Sequence, residues 1–176
     1  MPRFPASRVT GLLNRSQDAT LDSQQKGALF EDLTAAIFGS VPGVTLKKRD
    51  LLNGPGSEEI DLFFFNVPSK AGFYFLPFYL LVECKNWSSA VTSQDVAAFV
   101  DKVERRHLDH GFLFAANGVT GDPTDWSRAQ DKIRLALVNK GIHILVFDLS
   151  DISAITSSKV LVEMMIDKLC DLKASV

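Results

Sequence analysis

Apolar residues fall along this chain in two rhythms. Between residues 23 and 38, Leu29, Phe30, Leu33, Ala36 and Ile37 recur at steps of three and four, the spacing of one face of a helix. Asp22 or Ser23 can cap its start, and Gly39 followed by Pro42-Gly43 can end it. Residues 44–52 then read as a first strand carrying Lys47, Lys48 and Arg49, and Asn53-Gly54-Pro55-Gly56 is a dense turn signal. Residues 60–65 form a second, buried strand, residues 66–72 a hairpin loop, and residues 73–85 an antiparallel return ending in Glu83-Cys84-Lys85.

Beyond that point helix and strand alternate. Thr92 with Asp95 three residues on has the form of a capping box. The helix it opens carries Val96, Phe99, Val100 and Val103 as its stripe, with Lys102, Arg105, Arg106 and His107 as a basic, solvated end before Gly111 stops it. A strand at 112–116, a helix capped near Thr124 and running to about Asn139 (Trp126, Ala129, Ile133, Leu137 and Val138 apolar), a strand at 142–147 and a last helix at 158–172 complete the pattern. The helix–strand alternation after a hairpin predicts a mixed central sheet of about five strands flanked by helices, an α/β fold in the order α-β-β-β-α-β-α-β-α.

A length of 176 residues suits one domain, here 23–176, with residues 1–22 as a loosely ordered N-terminal arm. Arg3, Arg8 and Arg15 make that arm basic, and Pro2 and Pro5 argue against an amphipathic helix in it. No apolar run approaches the ~20 residues that span a bilayer, so no membrane role is expected. Two cysteines, Cys84 and Cys170, give neither a disulfide framework nor metal-ligand spacing and suit a reducing cytoplasm. The net charge of −2 provides no global attraction for a polyanion, so any such site must be local.

One constellation carries chemistry. On a strand Glu83 and Lys85 share a face, and Asp61 shares one with Glu59 and Phe63. If the two strands form a hairpin, Asp61 at the start of one lies across from Glu83 and Lys85 at the end of the other. The bland alternative is a surface ion pair worth about 0–1 kcal/mol. Charges closing a core strand are costly without a purpose, which favours a site. Two converging carboxylates are oxygen ligands suited to Mg²⁺ or Mn²⁺, and a neighbouring ammonium can orient a water or stabilise charge on phosphorus. Elsewhere, Glu31 reads as a solvated helix acid and Trp87 as packing over the site. His107, His110 and His143 read as structural or surface residues, and the 13 Phe as core.

Asp61 and Glu83-Cys84-Lys85 resemble the PD-(D/E)xK motif of restriction-endonuclease-like nucleases, with Ile60 where the pattern has Pro. Gly27-Ala28-Leu29-Phe30-Glu31 is similar to the Gly-x-x-Phe-Glu of the first helix of the Mrr-type branch, the catalytic domain of type IV restriction enzymes. Val82-Glu-Cys-Lys-Asn-Trp87 is similar to that branch's Glu-x-Lys strand, and the likeness extends over about residues 23–148. The resemblance implies a restriction-endonuclease-like core and hydrolysis of DNA phosphodiester bonds. It implies that Asp61 and Glu83, with the Cys84 carbonyl, hold Mg²⁺ (Mn²⁺ substituting), that Lys85 is the catalytic lysine, Glu31 an accessory acid and Gln94 a positioning residue. Mrr-type enzymes carry a separate DNA-recognition domain for which this length leaves no room, so a recognition subunit is an expected partner, and cleavage of both strands points to a homodimer. The rival expectation is a catalytically silent module that keeps the nuclease fold for nucleic-acid binding or assembly.

Overall fold

Strand order in space repeats strand order in the chain. In the computed structural model, β1 (Val44–Leu52), β2 (Glu59–Asn66), β3 (Tyr79–Lys85), β4 (His110–Ala115) and β5 (His143–Phe147) form one sheet in the order β1-β2-β3-β4-β5. The structure describes residues 3–52, 59–121 and 128–175; the expected turn at 53–56, the Thr124 cap and Trp126 lie outside them. β1, β2 and β3 pair antiparallel, β3, β4 and β5 parallel. Parallel neighbours need crossovers, and α3 (Ser93–Glu104) and α4 (Arg128–Lys140) supply them. This is the mixed, helix-flanked α/β sheet expected from the hydrophobic rhythm.

The period of two along each strand sorts side chains into two cores. Leu62, Phe64, Leu80, Val82, Phe112, Phe114, Leu145 and Phe147 face α2 (Ser23–Gly39) and α6 (Ser158–Ala174), meeting Phe30, Leu33, Ile37, Phe38, Leu161 and Met165. Phe38 is the hub, its ring centre 5.1–5.7 Å from those of Phe64, Phe73, Phe112 and Phe114. The alternate residues Leu81, Leu113 and Ile144 face α3 and α4 through Val96, Phe99, Val103, Ala129, Ile133 and Ala136. Contrary to the sequence reading, Gly111 does not stop the helix; it belongs to β4 and lets α3 close on the sheet. A Cβ there would lie 2.8 Å from Val103 Cγ2 and 2.9 Å from Phe99 Cε1.

Local chemistry fixes the helix starts. Asp22 and Gln25 cap α2 reciprocally, and Thr92 and Asp95 do the same for α3. The N-terminal residues are not a loose arm: α1 (Ala6–Ser16) packs on α2, burying Val9 in the core. Pro5 stands at its N-terminus, where a missing N–H costs nothing, so proline permits the helix it was expected to prevent. β3 begins at Tyr79 rather than residue 73, because the Asn66 amide donates to the carbonyls of Phe73, Leu76 and Pro77 (2.9, 3.3 and 3.1 Å) and holds that segment as an irregular turn. A short helix absent from the sequence reading, α5 (Leu149–Ala154), is capped by Asp148 and Asp151. Among the described residues no helix is long and apolar enough to cross a membrane.

Candidate active site

The β2–β3 ladder is recorded as far as Leu62↔Val82, and beyond that pair a side chain takes over a backbone's role. Asp61 Oδ2 accepts the Cys84 N–H at 2.7 Å. The next carbonyl, that of Lys85, accepts Ala116 N–H at 2.9 Å on the β4 side. Peptide groups alternate along a strand, so the Cys84 carbonyl points with its N–H towards β2 and Asp61.

Glu83 lies beside this junction with a side chain only 8% exposed. Both its oxygens are engaged: Lys85 Nζ reaches Oε1 at 2.9 Å and Lys102 Nζ reaches Oε2 at 2.5 Å. Lys102 also donates to the Glu59 carbonyl at 2.6 Å. The expected solvated position for Lys102 is therefore wrong. Asp95, Phe99 and Lys102 recur at steps of four and three on α3, and that row lines the site. An open cleft of about 400 Å³ is bounded by Asp61, Glu83, Lys85, Asp95, Lys102 and Arg105 among others.

The electrostatics follow from crowding acids at a half-buried sheet end. Burial, and then the negative charge of Glu83, push the Asp61 carboxyl up to about 6, against the pull of the Cys84 N–H, Lys85 and Lys102. Burial, Asp50 and Asp61 raise Glu31 to about 7, although Arg49 opposes them. Burial works against the Lys85 ammonium, but Glu83 and Asp61 outweigh it and its pKa lies above the ordinary lysine value. Lys85 is a cation at neutral pH. Burial raises the Cys84 thiol well above its usual range.

Asp61, Glu83, Lys85 and the Cys84 carbonyl thus converge. Glu31 sits on α2, ion-paired to Arg49 at 3.1 Å, and contributes through its field on the same region. Gln94 is exposed in the first turn of α3 and does not line the cleft; the next residue, Asp95, does. The basic cluster of β1 divides. Arg49 turns to Glu31, Asp32 and Asp50, while Lys47 and Lys48 stay exposed. Trp87 is 42% exposed, and Lys85 Nζ stands 5.2 Å from its ring centre. Asn86 ties α1 to α2 by donating to the carbonyls of Ser16 (2.9 Å) and Lys26 (3.2 Å). His110 and His143 stack on each other, with ring centres 4.5 Å apart, and are not among the residues that line the cleft.

A divalent cation fits these residues. The donors are oxygens, and Asp61 and Glu83 repel each other, which a cation between them would relieve. Among the described residues no group of three His, Cys, Asp or Glu side chains is set to hold a metal ion. The available set is two carboxylates and a carbonyl. Such a sparse set suits Mg²⁺, which keeps several waters and takes further ligands from phosphates.

A mixed five-stranded sheet flanked by helices, with an acid-acid-lysine set closing the β2–β3 hairpin, is a restriction-endonuclease-like fold. The restriction endonuclease family model of the Mrr catalytic-domain type matches residues 23–141, and the chain belongs to that family. No curated protein matches the chain.

Proposed function

We propose that the protein is a divalent-metal-dependent endodeoxyribonuclease whose active site is the Asp61–Glu83–Lys85 cleft. The observation that carries this reading is the convergence of both carboxylates and the Cys84 carbonyl at the end of one hairpin, with the Lys85 ammonium against Glu83. Asp61, Glu83 and the Cys84 carbonyl would hold Mg²⁺ or Mn²⁺, which when bound supplies Lewis-acid stabilisation of charge on a phosphate. Lys85 is held protonated by its acidic neighbours. It therefore serves as a fixed cation that positions a water and stabilises developing negative charge, not as a proton acceptor. Glu31, whose carboxyl feels the charge of Asp61 from the α2 side, is an accessory acid, and Gln94, exposed one residue before the cleft-lining Asp95, is a positioning residue. Cleavage of both strands of a duplex would require a second copy, and a separate subunit would supply sequence recognition. The two free thiols suit a reducing cytoplasm.

The test is nicking of supercoiled plasmid with Mg²⁺ or Mn²⁺. Wild type should nick, and Asp61→Asn and Lys85→Ala should each lose about 100-fold or more. Nicking that survives both substitutions would reject the site.

One observation favours the rival reading of a silent nuclease-fold module. The Lys102 ammonium already sits on Glu83 Oε2, partly meeting the need for a cation. A metal-dependent rise in melting temperature that disappears in Asp61→Asn supports the enzyme. No such rise in wild type, together with no nicking, supports the module.

A further inference from the structure

We propose that the uncovered aromatic face of β1, β2 and β3 is a stacking platform for unpaired nucleobases, leading a single strand into the cleft. The proposal deepens the nuclease reading by naming the substrate class of the same site. α3 and α4 sit over β4 and β5, and towards β1 and β2 the same sheet face opens. There the 13 Phe are not all core, contrary to the sequence reading. Phe63 and Phe65 are half-buried, while Phe78 is 57% and Tyr79 50% exposed.

These rings are already arranged as stacks. Phe63 lies against Tyr79 with centres 5.9 Å apart and planes at 21°, and Phe65 against Phe78 at 6.1 Å and 14°. Phe65 and Phe63 share the Asp61 face of β2, so the row runs to the metal-binding acid. At about 3.3 Å per residue, Phe65 stands roughly 13 Å from Asp61. Exposed contiguous aromatic surface of this kind marks an interaction site.

Charge selects the occupant. Lys47 Nζ lies 6.0 Å from the Phe65 ring centre, and Lys48 pairs directly across from Phe63. Lys47 and Lys48, beside Phe65 and Phe63 on β1, are cationic and exposed. A two-fold contact between copies would bring the same patch against itself and crowd the four ammonium groups of Lys47 and Lys48 together, a repulsion that disfavours it. Aromatic rings bordered by lysines suit a strand whose phosphates meet the cations and whose bases meet the rings. A duplex cannot use this surface fully, because its base faces are covered by their neighbours. An unpaired strand, flap or frayed end can.

The experiment measures binding of fluorescently labelled dT20 and of a 20-base-pair duplex in EDTA, where cleavage is silenced. The expected result is dT20 binding at least about tenfold tighter than duplex binding. Tyr79→Ser and Phe65→Leu should each weaken dT20 by about tenfold, since one stacked base carries about that much. Phe65→Leu keeps apolar bulk under the patch while removing the stacking ring, so a loss there is not a loss of folding. Binding in EDTA does not depend on turnover, which separates this inference from the catalytic reading, and Lys159→Ala, exposed on α6 away from the rings and the cleft, should bind dT20 like wild type. The proposal is overturned if wild type shows no dT20 binding, if duplex binds equally well, or if Phe65→Leu and Tyr79→Ser leave affinity unchanged. It is also overturned if Tyr79→Ser instead converts a wild-type dimer to a monomer in sedimentation, since the face would then be a contact between copies.

Discussion

The two faces of the sheet are built from the same strands and do opposite work. Towards α2 and α6, Leu62, Phe64, Leu80 and Val82 are sealed completely beneath Phe38. One residue along each strand, the other face carries Asp61, Phe63, Tyr79, Leu81 and Glu83; Leu81 is sealed under α3, Glu83 is buried with two lysines on it, and the others are partly or well exposed. Alternation lets one hairpin supply both the interior that holds the molecule together and the charged, open surface that the proposed chemistry needs. Substitutions at exposed positions of the second face should therefore separate activity from stability, whereas Leu81 on that face belongs to the core under α3.

The comparison breaks most visibly at its hub. Phe38→Ala should cost about 3–5 kcal/mol in urea denaturation, because four rings lose their common partner and the site cannot collapse. Phe65→Leu, on the open face, should cost less than about 1.5 kcal/mol. A similar loss at both positions would mean that the open face is a second core. Next in size is Lys102→Ala, which removes a nearly buried partner from Glu83 and the donor to the Glu59 carbonyl; about 1–3 kcal/mol of stability should go with it. The same substitution should tighten metal binding, read as a larger metal-induced rise in melting temperature than in wild type.

A smaller effect concerns pH. The folded Asp61 and Glu31 carboxyls titrate at about 6 and about 7, above their ordinary values near 4, so folding favours their protonated forms. Their contribution to stability is complete at or below the ordinary carboxylate range and is lost as pH rises through 6 and then 7. The proposed metal site needs Asp61 ionised, so the metal-induced rise in melting temperature should be small at pH 5 and large at pH 8. Asp61→Asn should flatten both trends. The smallest effect is at the thiols. Cys170, exposed on α6, should react promptly with a thiol reagent, and the half-buried Cys84, its pKa raised by burial, much more slowly.

Much of this was legible in the chain because it is local. The caps of α2 and α3, the alternation in β2 and the hairpin that joins Asp61 to Glu83 depend on residues close in sequence or on a single turn. What escaped depends on packing between distant elements. Lys102 looked like the basic end of a helix, and only the seating of α3 beside β3 puts its ammonium on Glu83. Phe63 and Phe65 share the alternation of true core residues; their exposure reflects where α3 and α4 happen to lie. α1 was hidden by reading Pro5 as a breaker without asking on which side of it a helix could start. Gly111 was read as a stop signal when its smallness serves the contact with Val103 and Phe99.

That strand order in space equals strand order in the chain has a kinetic side. Each recorded pairing in the sheet joins a strand to its immediate successor, so each closes the shortest loop available to it. Asp61, Glu83, Lys85 and Lys102 all lie within the contiguous stretch 59–105 that bounds the cleft. A chain growing from its N-terminus meets these residues in the order in which they pair, before α4, β5 and α6 have been made. Pairing of each strand with its successor shortens the time for which the unpaired edges of a forming sheet stand open to other chains.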